Sequence, residues 1–120
     1  MRLIVLILAG LLVTAPATIA QDSQVYSPGN GVSTPRLVKE VKPNYTPEAQ
    51  AEKIQGTVRL TAVVREDGTV SDVKVVRSLD AKYGLDAEGV KALQRWTFSP
   101  GMKDGKPVAV SVSVELAFHL

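Results

Sequence analysis

A chain of 120 residues with 45% hydrophobic and 22% charged positions is too apolar for a disordered tail, and beyond its first segment too broken by charge for a membrane bundle. Fourteen basic against twelve acidic residues give a formal charge of +2, too small an excess for a phosphate-binding surface, so nucleic acid is excluded as a partner class. The absence of cysteine excludes disulfides, thiol catalysis, thiolate metal sites and a lipid-anchoring cysteine.

Met1 to Ala20 has the three parts of an export signal. Arg2 gives the positive start, Leu3 to Val13 the apolar core, and Thr18-Ile19-Ala20 a small-x-small cleavage site before Gln21, with Ala15-Pro16-Ala17 as a competing site. The rival reading is a retained membrane anchor. A spanning helix needs about 20 apolar residues and Pro16 interrupts this one, so the expectation is a cleaved leader and a periplasmic product, membrane-bound only if the leader stays. Residues 21–41 then form an extended lead-in segment rich in turn residues: Pro28, Gly29, Asn30, Gly31 and Pro35. Within it, Arg36 to Val41 is expected to lie along the domain as a short extended piece, making apolar contacts through Leu37, Val38 and Val41.

The domain proper is read as 42–120. At Thr46-Pro47-Glu48-Ala49, Thr46 serves as N-cap, Pro47 at the first helical position gives up only an N–H that would be unpaired, and Glu48 favours the helix dipole. A short helix to about Lys53 follows. Thr57 to Arg65 alternates Val58, Leu60, Ala62 and Val64 against Arg59, Thr61, Val63 and Arg65, the period of a strand with one buried face. Glu66-Asp67-Gly68 reads as a tight hairpin loop with Gly68 at positive φ. The return strand, Thr69 to Arg77, carries Val70 in one parity and Val73 and Val75 in the other. Either an extra residue at Ser71-Asp72 forms a β-bulge, or a strict two-residue turn leaves Val70 facing out.

Leu79 to Gly84 is a loop. Leu85, Gly89, Ala92, Leu93 and Trp96 then fall on one stripe of a second helix. Glycine inside a helix costs about 1 kcal/mol against alanine, so Gly89 points to close approach of helix and sheet. After Trp96-Thr97-Phe98-Ser99-Pro100, a polar loop from Gly101 to Lys106 leads into a last strand from Val108 to His119, whose even positions are apolar and whose odd positions are mostly small or polar. The order helix, strand, strand, helix, strand predicts an α+β fold: a three-stranded antiparallel sheet with two helices on one face. The last strand lies beside the first, so that it and the bulged strand form the two edges.

Nothing in the pattern points to catalysis. The single histidine, His119, is one residue from the end and has no partners for a triad; Glu66-Asp67 sits in a turn with no apolar pocket to raise a pKa; ligand spacing for a metal is absent. The expectation is a non-enzymatic protein without cofactor or metal. Trp96 is read as core and Phe98 as partly exposed.

Taken in order, Tyr45-Thr46-Pro47-Glu48-Ala49, Ile54-Gln55-Gly56-Thr57-Val58, Asp67-Gly68-Thr69-Val70, Leu85-Asp86, Trp96-Thr97-Phe98-Ser99-Pro100 and Gly105-Lys106-Pro107-Val108 resemble the TonB C-terminal domain family, from about Lys42 to Leu120. The resemblance implies a periplasmic module of energy-transducing proteins that engages an extended segment at the N-terminus of an outer-membrane transporter, adding it as a strand beside the last strand. Carried onto this chain, the partner-binding residues are Val108, Ala109, Val110, Ser111, Val112, Ser113, Val114 and Glu115. Complete family members carry a retained membrane anchor and a long Pro-rich spacer, whereas this chain is expected to have a cleaved leader and a short lead-in. The alternative is a self-associating periplasmic structural or scaffold protein not coupled to the proton-driven motor, a homodimer in which the same edge pairs with a second copy. Edge chemistry favours the last strand as the open edge, since Ser111 and Ser113 are small and uncharged whereas the return strand carries Asp72, Lys74 and Arg77.

Overall fold

The computed structural model describes residues 24–120; the expected export signal over Met1 to Ala20 and its expected cleavage site lie outside the described residues. The elements are β1 (Arg36–Lys39), α1 (Pro47–Ala51), β2 (Gly56–Val64), β3 (Val70–Arg77), α2 (Leu85–Leu93), β4 (Thr97–Ser99), β5 (Gly101–Lys103), β6 (Lys106–Val108) and β7 (Val110–Phe118). Three strands form the main antiparallel sheet in the order β3-β2-β7, with α1 and α2 on its apolar face, as the alternation requires. Two small antiparallel pairs, β1 with β4 and β5 with β6, complete the fold.

The even positions of β2 make the floor of the core. Val58, Leu60 and Ala62 are buried with Leu93, Trp96 and Leu116, and Val41, Val112 and Val114 pack against this group. Gly89 lets α2 come down onto the sheet: a Cβ there would lie 3.3 Å from Val58 Cγ1 and 3.5 Å from Leu116 Cδ1. A second group, Ala49, Leu85 and Phe118, joins α1 to the end of β7, with Tyr45 meeting Phe118 edge to face at 5.5 Å between ring centres. Thr46 caps α1 as expected, accepting the Ala49 N–H at 3.2 Å, while its hydroxyl donates to the Tyr83 carbonyl at 2.8 Å.

The bulge in β3 is present. Thr61 pairs with Lys74 and Val63 with Ser71, so one extra residue is taken up on the return strand, and Asp72 there has φ +52°. A second irregularity between Arg59 and Leu60 leaves Val76 exposed. Two bulges twist this edge and make it a poor template for a further strand.

Three expectations are corrected. Leu37 and Val38 are largely exposed and belong to neither core cluster: β1 joins the domain through its backbone at the rim, and of the three expected contacts Val41 packs inward. Gly101 to Lys106 is no loop but most of a hairpin, β5–β6, turning at Asp104 and Gly105 with positive φ. The last strand starts at Val110, because Val108 closes that hairpin opposite Gly101 and the ladder breaks at Ala109, which is buried instead of facing out.

The loop before α2 is organised by two carboxylates. Gly84 offers no capping side chain, and Asp80, almost wholly buried, supplies the acceptors instead, taking the N–H groups of Tyr83 at 3.0 Å and Leu85 at 3.3 Å. Burial pushes the Asp86 carboxyl up, but the Ser78 hydroxyl and the N–H groups of Leu79 and Asp80 donate to it and together hold it below the ordinary 3.8. A carboxylate depressed by folding stabilises in full above its unfolded value, and that contribution is lost as the pH falls below 3.8 toward the folded value. Asp86→Asn is therefore expected to shrink the difference in urea midpoint between about pH 6 and about pH 3. An unchanged difference would mean that other groups carry the acid response.

Candidate functional site: the outer edge of the last strand

All nine residues of β7 pair with β2, from Val110 opposite Val64 to Phe118 opposite Gly56. One side of the strand is therefore satisfied. Its other side is defined by two bonds from the lead-in: Tyr26 N–H donates to the Ala109 carbonyl and Ser111 N–H donates to the Tyr26 carbonyl, both at 2.8 Å. Because backbone groups alternate sides along a strand, Ser111 pointing outward means that the N–H and C=O groups of Ser113, Glu115 and Ala117 point outward too. Among the described residues, none of these three makes a backbone bond on that side.

The eight residues assigned to partner binding from the sequence thus divide. Val108 belongs to β6, and the Ala109 carbonyl and the Ser111 N–H are engaged by Tyr26. Val110, Val112 and Val114 turn their backbone toward β2; the side chains of Val112 and Val114 pack into the core, and that of Val110 is buried against Gly101 of β5. Ser113 and Glu115 keep open backbone groups, and Ala117, outside the assigned range, is equivalent to them. The Glu115 side chain is held across the exposed sheet face by Arg59, with Nη2 to Oε2 at 2.6 Å, so only its main chain is free to pair outward.

A groove of about 520 Å³ runs beside the second half of this edge, lined by Glu40, Lys42, Pro43, Tyr45, Trp96 and residues 115–119. Its outer wall is the segment that leads from β1 to α1. That wall is fixed at Val41, whose carbonyl accepts the Trp96 indole N–H at 2.8 Å, and at Tyr45, whose hydroxyl donates to the Ile54 carbonyl. The lining mixes aromatic and aliphatic surface with Glu40, Lys42 and His119, a composition suited to side chains of an extended peptide whose backbone pairs with the edge. His119 lies past the end of β7 on the rim. Among the described residues, no group of three or more His, Asp or Glu is placed to hold a metal ion, and no helix is long and apolar enough to cross a membrane.

An open, regular edge beside a built groove is set against known proteins by the sequence that makes it. The model of the family described as Gram-negative bacterial TonB protein C-terminal matches residues 41–120, which include every strand of the main sheet and both helices. The chain belongs to this family. It is 32% identical over 101 residues to Protein TonB of Escherichia coli (strain K12), covering 84% of this chain and 40% of that protein. It is 30% identical over 106 residues to Protein TonB of Klebsiella pneumoniae, covering 86% and 43%. The chain spans about two fifths of the length of these relatives. The solution NMR structure of the Pseudomonas aeruginosa TonB CTD superposes with a TM-score of 0.60 at 26% identity, covering 77% of this chain and 89% of that one.

The lead-in contact on β7 was not legible in the sequence. Its only trace is the turn run Pro28-Gly29-Asn30-Gly31, which marks a reversal without saying what lies on either side. The roles of Val41 as a carbonyl partner and of Ala117 as an open edge position were missed for the same reason: both depend on which way a backbone group points.

Proposed function

We propose that this chain is a non-enzymatic periplasmic interaction module of the TonB type, which takes an extended segment near the N-terminus of an outer-membrane transporter as an added strand on β7, in energy-coupled transport. The observation that carries this reading is the row of outward N–H and C=O groups at Ser113, Glu115 and Ala117, bordered by the groove under Lys42, Pro43 and Tyr45. Membership of the TonB C-terminal family supports the choice of partner. The opposite edge is unsuited, being bulged twice and carrying Lys74 and Arg77.

Strand addition draws its affinity from main-chain bonds, so removing one outward N–H is the direct test. Ser113→Pro takes away a donor that β2 does not use, and proline is tolerated at such an edge position. The variant is expected to melt close to the parent and to bind synthetic peptides copied from transporter N-terminal segments at least about tenfold more weakly by calorimetry. Charge reversal at Lys74 and Arg77 should leave binding unchanged. A folded Ser113→Pro chain that binds like the parent would overturn the reading.

A further inference from the structure

We infer that the chain's own lead-in segment is a fixed end wall of the β7 edge, which confines an added strand to the stretch from Ser113 to Ala117; this rests on the strand-addition reading above and deepens it. Tyr26 sits on the edge as a one-residue parallel strand, bridged to Val110. In a parallel ladder the next bonds would run from the N–H of residue 28 to the Ser111 carbonyl, and from the Ser113 N–H to the carbonyl of residue 28. Residue 28 is proline and has no N–H, so the lead-in cannot continue along β7 and leaves the edge there. The chain then reverses through Gly29, Asn30 and Gly31, all at positive φ, closed by two bonds between Gly29 and Val32.

Val32 and Ser33 hold the wall in place. Val32 is buried at 7% exposure, and Ser33 makes two bonds with Met102, N–H to carbonyl at 3.0 Å and Met102 N–H to the Ser33 hydroxyl at 2.8 Å. The Ser33 carbonyl lies so close to Gly101 that a Cβ there would stand 2.7 Å from it. Lys103 places its ammonium 4.9 Å from the Tyr26 ring centre. Tyr26 is thus tied to the β5–β6 hairpin as well as to β7, which suits a built part of the domain and not a lid. A strand seated between Pro28 and the end of β7 has room for about five or six paired residues, opposite Ser113 to Phe118. A second copy's β7 meets the same wall, so two chains cannot pair these strands over their full length.

Amide exchange followed by NMR on the whole chain tests this, with Tyr26 as reporter, since its N–H is bonded to Ala109 only while the wall stands. The probes are two synthetic peptides from one transporter N-terminal segment, of about six and about twelve residues sharing a core. Both are expected to slow exchange at Ser113, Glu115 and Ala117 and to leave Tyr26 within about twofold of its rate in the free protein. If the longer peptide slows the same three amides but speeds Tyr26 about tenfold or more, the lead-in is displaced, and the wall falls while strand addition stands. If neither peptide alters any β7 amide, strand addition falls and the wall with it.

Discussion

Trp96→Ala is expected to cost about 3 to 5 kcal/mol in denaturant melts and to weaken peptide binding in whatever fraction stays folded. The indole is only 7% exposed, packed with Val58, Leu60, Leu93 and Leu116, and tilted against the Phe98 ring with centres 6.2 Å apart. Truncation empties that space and also strands the Val41 carbonyl, which loses the only hydrogen-bond partner described for it. Trp96→Phe separates the two effects. It keeps most of the apolar volume and loses the bond, so it should cost about 1 to 2 kcal/mol, yet still loosen the segment from Glu40 to Tyr45 that walls the groove. Weakened binding in a nearly fully stable Trp96→Phe protein is the result that ties this tryptophan to the site. Trp96 reaches the core from three residues past the end of α2 and not from the helical stripe the sequence suggests. If Trp96→Ala melted like the parent, the indole would have been wrongly assigned to the core.

Legibility in the sequence depended on the kind of force that places each element. The alternation in β2 and the even positions of β7 had to face a common core, so sheet order and helix placement could be read from apolar burial alone. The parity conflict among Val70, Val73 and Val75 forced the choice between a bulge and an outward valine, and Asp72 at φ +52° shows which was taken. Short pieces held by backbone bonds left weaker marks. Alternation runs unbroken from Val108 into Val110, so the break between β6 and β7 at Ala109 was hidden, and β5–β6 looked polar because it is a rim hairpin with little to bury. Leu37 and Val38 were expected to pack because they are apolar, but β1 is held through its main chain against β4. The candidate site lies on the same divide. The sheet order makes both β3 and β7 edges, and Ser111 and Ser113 against Asp72, Lys74 and Arg77 mark β7 as the less protected one, whereas the part of it left unpaired depends on Tyr26, 84 positions before Val110 in the chain.

Gly68→Val is the second large effect, and its size depends on a contact the sequence does not announce. Gly68 stands at φ +86° in the β2–β3 hairpin, its N–H donating to the Arg65 carbonyl at 2.9 Å, and a side chain at positive φ costs about 1 to 2 kcal/mol. The loop also docks on β4: Phe98 N–H donates to the Gly68 carbonyl at 2.9 Å, and a Cβ on Gly68 would lie only 2.1 Å from the Phe98 carbonyl oxygen. That oxygen belongs to a strand paired with β1, so it cannot move aside as a flexible side chain would. Relieving the clash requires the loop to leave β4 or β4 to shift, at about 1 to 3 kcal/mol by analogy with overpacked sites. The expected total of about 2 to 5 kcal/mol rivals Trp96→Ala, and Gly68→Ala should approach it, since the first carbon already collides. Asp67→Ala is the control for local turn chemistry: it removes the acceptor of the Thr69 N–H and hydroxyl at 3.0 and 2.6 Å but adds no atom toward β4. Its cost should stay near 1 kcal/mol or below. Denaturant melts of the three variants decide between the two causes. Equal, small losses for Gly68→Ala and Asp67→Ala would mean that the hairpin tip is not docked on β4, and that the β1–β4 pair and the groove wall beyond it lack this support from the sheet.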